Sequence, residues 1–188
     1  FGDEGKGTVV DWLVRAHGAD LVVRYNGGSQ AGHSVVLPDG THHTHSQFGS
    51  GTLAGARTLF SRYAVFNPLA ALAEATRLEE IGIKDPLALL TVEEDCLVST
   101  PFHAAVNRLR EIARGAGRHG SCGAGVGEAV EDSQGLVPDG VVRGGDLRDT
   151  ARLRARLRRV QERKRACAQG LGLSVAADPS SASGSFER

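Results

Sequence analysis

Three glycine-rich loops limit what this chain can fold into: "GDEGKG" at 2–7, "NGGSQAGHS" at 26–34 and "GRHGSCGAGVGEAVED" at 117–132. They are interleaved with segments of alternating helical and strand character. That order predicts an α/β domain with a mostly parallel central sheet and flanking helices. At 188 residues the chain is long enough for one domain with its own core.

The segments between the loops read as follows. Residues 8–17 predict a helix, with Val9, Val10, Leu13 and Val14 on its buried face and Gly18 as its stop. "DLVVRY" at 20–25 predicts a short buried strand. "SVVLPDGTHHTH" at 34–45 predicts a hairpin turning at Pro38, Asp39 and Gly40. "QFGSGTLAGARTLF" reads as loop, and "SRYAVF" at 61–66 as strand. Asn67 and Pro68 read as an N-cap and first helical residue, opening a helix to about Glu80. "LALLTV" at 87–92 is strand-like. Thr100 and Pro101 open another helix, with Phe102, Ala105, Leu109 and Ile112 on one face. Leu153, Leu157 and Val160 mark the buried stripe of an Arg-rich helix. The domain is expected over 1–169, and the small, polar residues of 170–188 read as a disordered tail.

The first loop is too short for a Walker A motif, which needs four residues between its first glycine and the Gly-Lys pair. Its chemistry still suits phosphate. Glycines free backbone N–H groups, a helix begins just after, and Lys6 adds a positive charge. Asp3 and Glu4 would repel phosphate, so a carboxylate there makes sense if it binds Mg²⁺ or takes a proton. His33, in the second loop, pairs with that acid as a group able to stabilise a transferring phosphoryl. His43 and His45 would share one face of a strand, which suits a metal, but spacing identifies no third ligand. Polar residues on a strand are the simpler account of them.

Composition excludes several classes. Nine basic side chains against two acidic ones crowd 148–165, and read as a solvated helix face. Aromatics are only 5% of the chain, too few for base-stacking platforms, so no nucleic-acid partner is expected. No apolar run approaches the ~20 residues of a membrane span. Three cysteines without a CxxC pair fit a reducing, cytoplasmic setting.

The loops, in this order, resemble those of adenylosuccinate synthetase, a GTP-hydrolysing C–N ligase family that joins IMP and L-aspartate with Mg²⁺ in AMP biosynthesis. The matching stretches are "GDEGKG" at 2–7, "VVRYNGGSQAGHSVV" at 22–36, "NPLAALAEATRLEEIGI" at 67–83, "FHAAVNRLREIARG" at 102–115, "GSCGAGVGEAVED" at 120–132 and "VRGGDL" at 142–147. The resemblance implies the N-terminal portion of a P-loop-NTPase-like fold. It implies Asp3 and His33 as catalytic groups, and Mg²⁺ on Asp3 and Gly32. GTP would be held by Gly2, Asp3, Glu4, Gly5, Lys6, Gly7, Thr8, Gly32, His33 and Ser34. IMP would be held by Asp3, Glu4, Gly5, Lys6, Gln30, Ala31, Gly32, His33 and Cys122. The family works as a homodimer.

The pattern departs from the family at Gln30, where Asn is usual, at Ser34 and Cys122, where Thr is usual, and at Ala124, which replaces an arginine. The family's guanine-recognition motif and aspartate-binding loop belong to a C-terminal half beyond these residues, and a strand is expected ahead of Gly2. The chain alone is therefore expected to show little activity. The alternatives to a working ligase are a nucleotide-binding pseudoenzyme, or a paralogue for another purine-like nucleotide.

Overall fold

A computed structural model describes residues 4–135 and 140–171 of the chain. The helices are α1 (Lys6–His17), α2 (Pro68–Glu80), α3 (Pro101–Ala113), α4 (Val126–Gln134) and α5 (Thr150–Gly170). The strands are β1 (Leu21–Arg24), β2 (His33–Val36), β3 (His42–His45), β4 (Arg57–Phe60), β5 (Val65–Phe66), β6 (Leu90–Val92) and β7 (Leu97–Val98). Strands β1, β4 and β6 form a parallel sheet in the order β1-β4-β6, and β5 pairs in parallel with β7. Strands β2 and β3 form the expected antiparallel hairpin, with Gly40 in its turn. The mostly parallel α/β class holds.

The central strand of the sheet, β4, falls inside the stretch read as loop. Its glycines and serines belong to the approach, while Arg57–Phe60 itself pairs on both sides. Conversely, only Val65–Phe66 of the 61–66 strand is extended, because residues 61–64 turn through an Ala64 N–H to Ser61 carbonyl bond. β1 is not buried as expected. It occupies an edge of the described sheet and exposes Leu21 and Val23.

Two helix faces also differ from their periodicity. α1 buries Gly7, Asp11 and Val14 and leaves Val9 and Leu13 exposed. α3 buries His103, Val106 and Glu111, while Ala105 and Ile112 face outward. In α3 the reason is polar: its inner face is held by ions. His103 Nδ1 accepts from the Thr100 N–H at 2.9 Å, so Nε2 carries the proton and donates to Asp132 at 3.0 Å. Arg110 pairs with Glu128 at 2.9 Å. Lys164 of α5, only 4% exposed, reaches Glu128 at 3.1 Å and Asp132 at 2.8 Å. The basic run is therefore not simply a solvated face. It sends one lysine inward, beside the Leu153, Leu157 and Val160 stripe that packs on the main core.

That core gathers Phe60, Phe66, Val98, Val142 and Val160, with Phe60 and Phe66 edge to face at 5.1 Å. A second cluster joins Phe48 to Ala75 and Leu78 of α2. Asn67 caps α2 through the Ala70 N–H at 3.1 Å, with Pro68 at its first position, as expected. Gly170 closes α5 rather than opening the expected tail, and 172–188 lie outside the described residues.

Burial favours a protonated Asp132, but His103, Lys164 and Arg163 outweigh it and hold the carboxyl down at about 2. The folded value lies below the unfolded one, about 3.9. The stabilisation is therefore complete above about pH 4 and is lost as pH falls toward 2. Urea melts should show this protein losing on the order of 1–2 kcal/mol more than Asp132→Asn across that window, after discounting for solvent screening. Equal losses in both proteins would remove Asp132 from the account.

Candidate functional site

The first two loops meet at Gly7. This residue sits in the first turn of α1 with its Cα against the start of β2. A Cβ there would lie 2.6 Å from the Ser34 carbonyl oxygen and 2.9 Å from the His33 carbonyl carbon. Both are backbone atoms, so only glycine allows the approach. Gly5 precedes the helix in the left-handed region, φ 67°, and brings no capping side chain to the helix end. The positive end of α1 is thus presented beside Gly32, His33 and Ser34, an arrangement that favours an anion.

Lys6 and Glu4 lie exposed at this end and pair at 2.8 Å, which keeps Glu4 below the usual carboxylate range. Gly5, Thr8, Gln30, Gly32 and Ser34 are exposed, whereas Ala31 and His33 are half-buried. Ser34 Oγ and Thr44 Oγ1 lie 2.9 Å apart on the outer face of the hairpin. His33 is on the inner face, opposite His45 in the register. Burial pushes the His33 imidazole below its ordinary value, and Arg24, Lys6 and His45 add to the effect. At neutral pH it is uncharged and offers one N–H and one lone pair.

The third loop reaches the second through its helix. Val126, first residue of α4, packs on Gly28, where a Cβ would meet Val126 Cγ2 at 2.8 Å. Cys122 lies exposed on the stretch leading into α4. Gly2 and Asp3, the expected start of the phosphate loop and its base, lie outside the described residues.

Sequence reading missed Glu74. It stands on the buried face of α2, among Ala71, Ala75 and Leu78, and is 4% exposed. Oε2 accepts from the Ser46 N–H at 3.0 Å, the Ser46 hydroxyl at 2.8 Å and the Gln47 N–H at 2.6 Å. Burial would favour its protonation, but the two histidines and these donors keep it ionised. The available signal was an acid within the apolar stripe of an amphipathic helix, which demands buried partners.

A helix terminus packed on a glycine-rich second loop, on a mainly parallel α/β frame, defines an α/β protein with a surface that suits an anion. Comparison with known proteins sharpens this. The sequence profile of adenylosuccinate synthetase matches residues 1–184. The adenylosuccinate synthetase of Methylococcus capsulatus is 42% identical over 159 residues, which is 84% of this chain and 35% of that protein. The fold matches the fully ligated adenylosuccinate synthetase of Plasmodium falciparum with a TM-score of 0.75 at 18% identity, over 90% of this chain and 38% of that one. It also matches succinoaminodeoxyadenylate synthetase of cyanophage S-2L, TM-score 0.57 at 21% identity, over 82% of this chain and 41% of that one. The chain belongs to the adenylosuccinate synthetase family, and spans about a third of the length of the curated relative it matches.

Gly7 supplies a test in which two effects oppose. In an ordinary helix Gly→Ala stabilises by roughly 1 kcal/mol. Here the new Cβ would collide with two backbone atoms, so Gly7→Ala should instead destabilise by about 1–3 kcal/mol, read as a lower Tm. An unchanged or raised Tm would show that α1 and β2 do not touch as described.

Proposed function

We propose that this chain is the phosphoryl-transfer portion of a GTP-dependent ligase that forms adenylosuccinate from IMP and L-aspartate. The observation that supports the reading is the contact at Gly7, which brings the α1 terminus beside the His33 loop, as a shared phosphate site requires. Family membership supplies the reaction.

Asp3 takes the proton from N1 of the purine, leaving O6 nucleophilic. O6 attacks the γ-phosphorus of GTP, the bond to the GDP oxygen breaks, and a 6-phosphoryl purine forms. His33, neutral and half-buried, donates its N–H to the oxygen charge that develops there. Phosphate oxygens bound beside it would raise its affinity for a second proton, which suits an acid. The amine of aspartate then attacks C6, the C6–O bond breaks, and phosphate leaves together with one amine proton. Lys6, Gly7 and Thr8 hold phosphate oxygens through the helix terminus and the lysine charge, and Gly32 and Ser34 close the other side. Bound Mg²⁺ would neutralise phosphate charge during transfer. The donors assigned to it, the Asp3 carboxylate and the Gly32 carbonyl, are hard oxygens that suit that ion, and Gly32 is exposed beside the α1 terminus. Gln30, Ala31 and Cys122, with Glu4 and Gly5, line the purine nucleotide. The working unit is a cytoplasmic homodimer.

A second reading concerns the nucleotide. The fold is shared with a cyanophage synthetase bound to dGMP and dATP as an energy donor, and Gln30, Cys122 and Ala124 alter the purine-facing loops. A paralogue with another purine nucleotide follows from the same machinery. A nucleotide-binding remnant without catalysis is the remaining alternative.

The protein at its natural length should produce adenylosuccinate, followed by absorbance, from IMP, GTP, aspartate and Mg²⁺. Asp3→Asn should lower kcat by at least about 10²-fold while GTP binding persists. Activity with dGMP or ATP in place of IMP or GTP selects the paralogue. GTP binding with no turnover on any of these selects the remnant, and full turnover by Asp3→Asn removes the assigned base.

A further inference from the structure

On the inner face of the hairpin, His43 and His45 of β3 converge with Glu74 of α2. The three are 7%, 0% and 4% exposed. One donor atom from each lies within 4.8 Å of the other two. His43 Nε2 is 3.4 Å from Glu74 Oε1, and His45 Nδ1 is 3.6 Å from the same oxygen. As hydrogen bonds these are poor, since N–H···O pairs cluster near about 2.9–3.0 Å. The two separations come near those of a different geometry. Ligands about 2.0–2.1 Å from a tetrahedral metal lie about 3.3–3.4 Å from one another.

Two further observations agree. Both ring nitrogens of His45 are buried without a hydrogen-bond partner, a costly state for a polar ring. A metal on Nδ1 satisfies one of them. The two oxygens of Glu74 are also divided. Oε2 takes the short bonds from Ser46 and Gln47, whereas Oε1 has only long contacts, to the two histidines and to the Phe48 N–H at 3.3 Å. The carboxylate holds the loop with one oxygen and turns the other toward the imidazoles.

We propose that His43, His45 and Glu74 bind a divalent late transition-metal ion, Zn²⁺ above all. Two imidazole nitrogens and one carboxylate oxygen suit Zn²⁺, whereas Mg²⁺ takes an all-oxygen shell. The site is therefore distinct from the oxygen-donor position assigned to Mg²⁺. Arg24 is the cation whose field reaches Glu74, and its guanidinium is engaged elsewhere. It donates to the Phe48 carbonyl at 3.2 Å and lies over the Phe60 ring at 5.3 Å. A bound ion fastens the hairpin to α2 directly behind His33, which faces His45 across the strands. The role is structural: the metal fixes β3, the strand paired with the one that carries His33, and touches no substrate.

The test is a Co²⁺ titration of the chelator-treated protein at its natural length. Intense visible d–d bands, saturating near one equivalent and displaced by Zn²⁺ but not by Mg²⁺, are expected. His45→Leu should lose the bands, while His42→Ala, on the outer face, should keep them. X-ray absorption of the Zn²⁺ form needs no variant. A shell of nitrogen and oxygen with two imidazoles supports the site, and sulfur or an all-oxygen shell overturns it. Failure to bind Co²⁺ or Zn²⁺, or undiminished bands in folded His45→Leu, overturns it as well.

Discussion

The Glu74 carboxylate is the ion on which the rest of the described structure turns. It sits inside α2, where a single charge gathers the N–H groups of residues 46–48. A buried carboxylate without such donors would be severely unstable. With them it forces the chain to leave β3, pass under α2 and enter β4. Gln47, fully buried by that path, accepts the Asn67 N–H at 3.0 Å and so ties the start of α2 back to the same turn. Phe48 fills the space against Ala75 and Leu78. One charge thereby ties the end of the hairpin to α2. The hairpin sets His33, and Gly7 brings the α1 terminus to meet it.

The sequence made the glycine loops legible because their chemistry is local. A helix opening on a glycine, a lysine beside it and a histidine in a second loop need no tertiary knowledge to suggest phosphate. The Asn67 and Pro68 start was legible for the same reason, as was the turn at Gly40. Apart from the local turn at 61–64, the main misread segments depend on distant partners. β4 looked like loop since its neighbours are small, yet it is the central strand, paired to β1 and β6. The α3 face was read from apolar spacing, while ions on α4 and α5 decide it. Lys164 looked like one more solvated cation in an Arg-rich run, and only the fold reveals the two acids waiting for it. His43 and His45 could be seen to share a face, but their third partner is 29 residues beyond His45 and on another element.

The proposed nucleotide site lies mostly at loop ends. The candidate ligands are mainly exposed backbone and short side chains on loop ends, and their precision is borrowed from buried contacts beneath: Gly7 on Ser34, Val126 on Gly28, Glu74 under the hairpin. Among the described residues no helix is long and apolar enough to cross a membrane.

The first two loops are proposed to form one phosphate-binding surface. Amide chemical shifts of the isotopically labelled protein, recorded as Mg²⁺-GTP is added, test it most directly. The amides of Lys6, Gly7 and Thr8 should move together with those of Gly32, His33 and Ser34, along one saturation curve. Shifts confined to one loop, or centred elsewhere while both loops stay still, would contradict it.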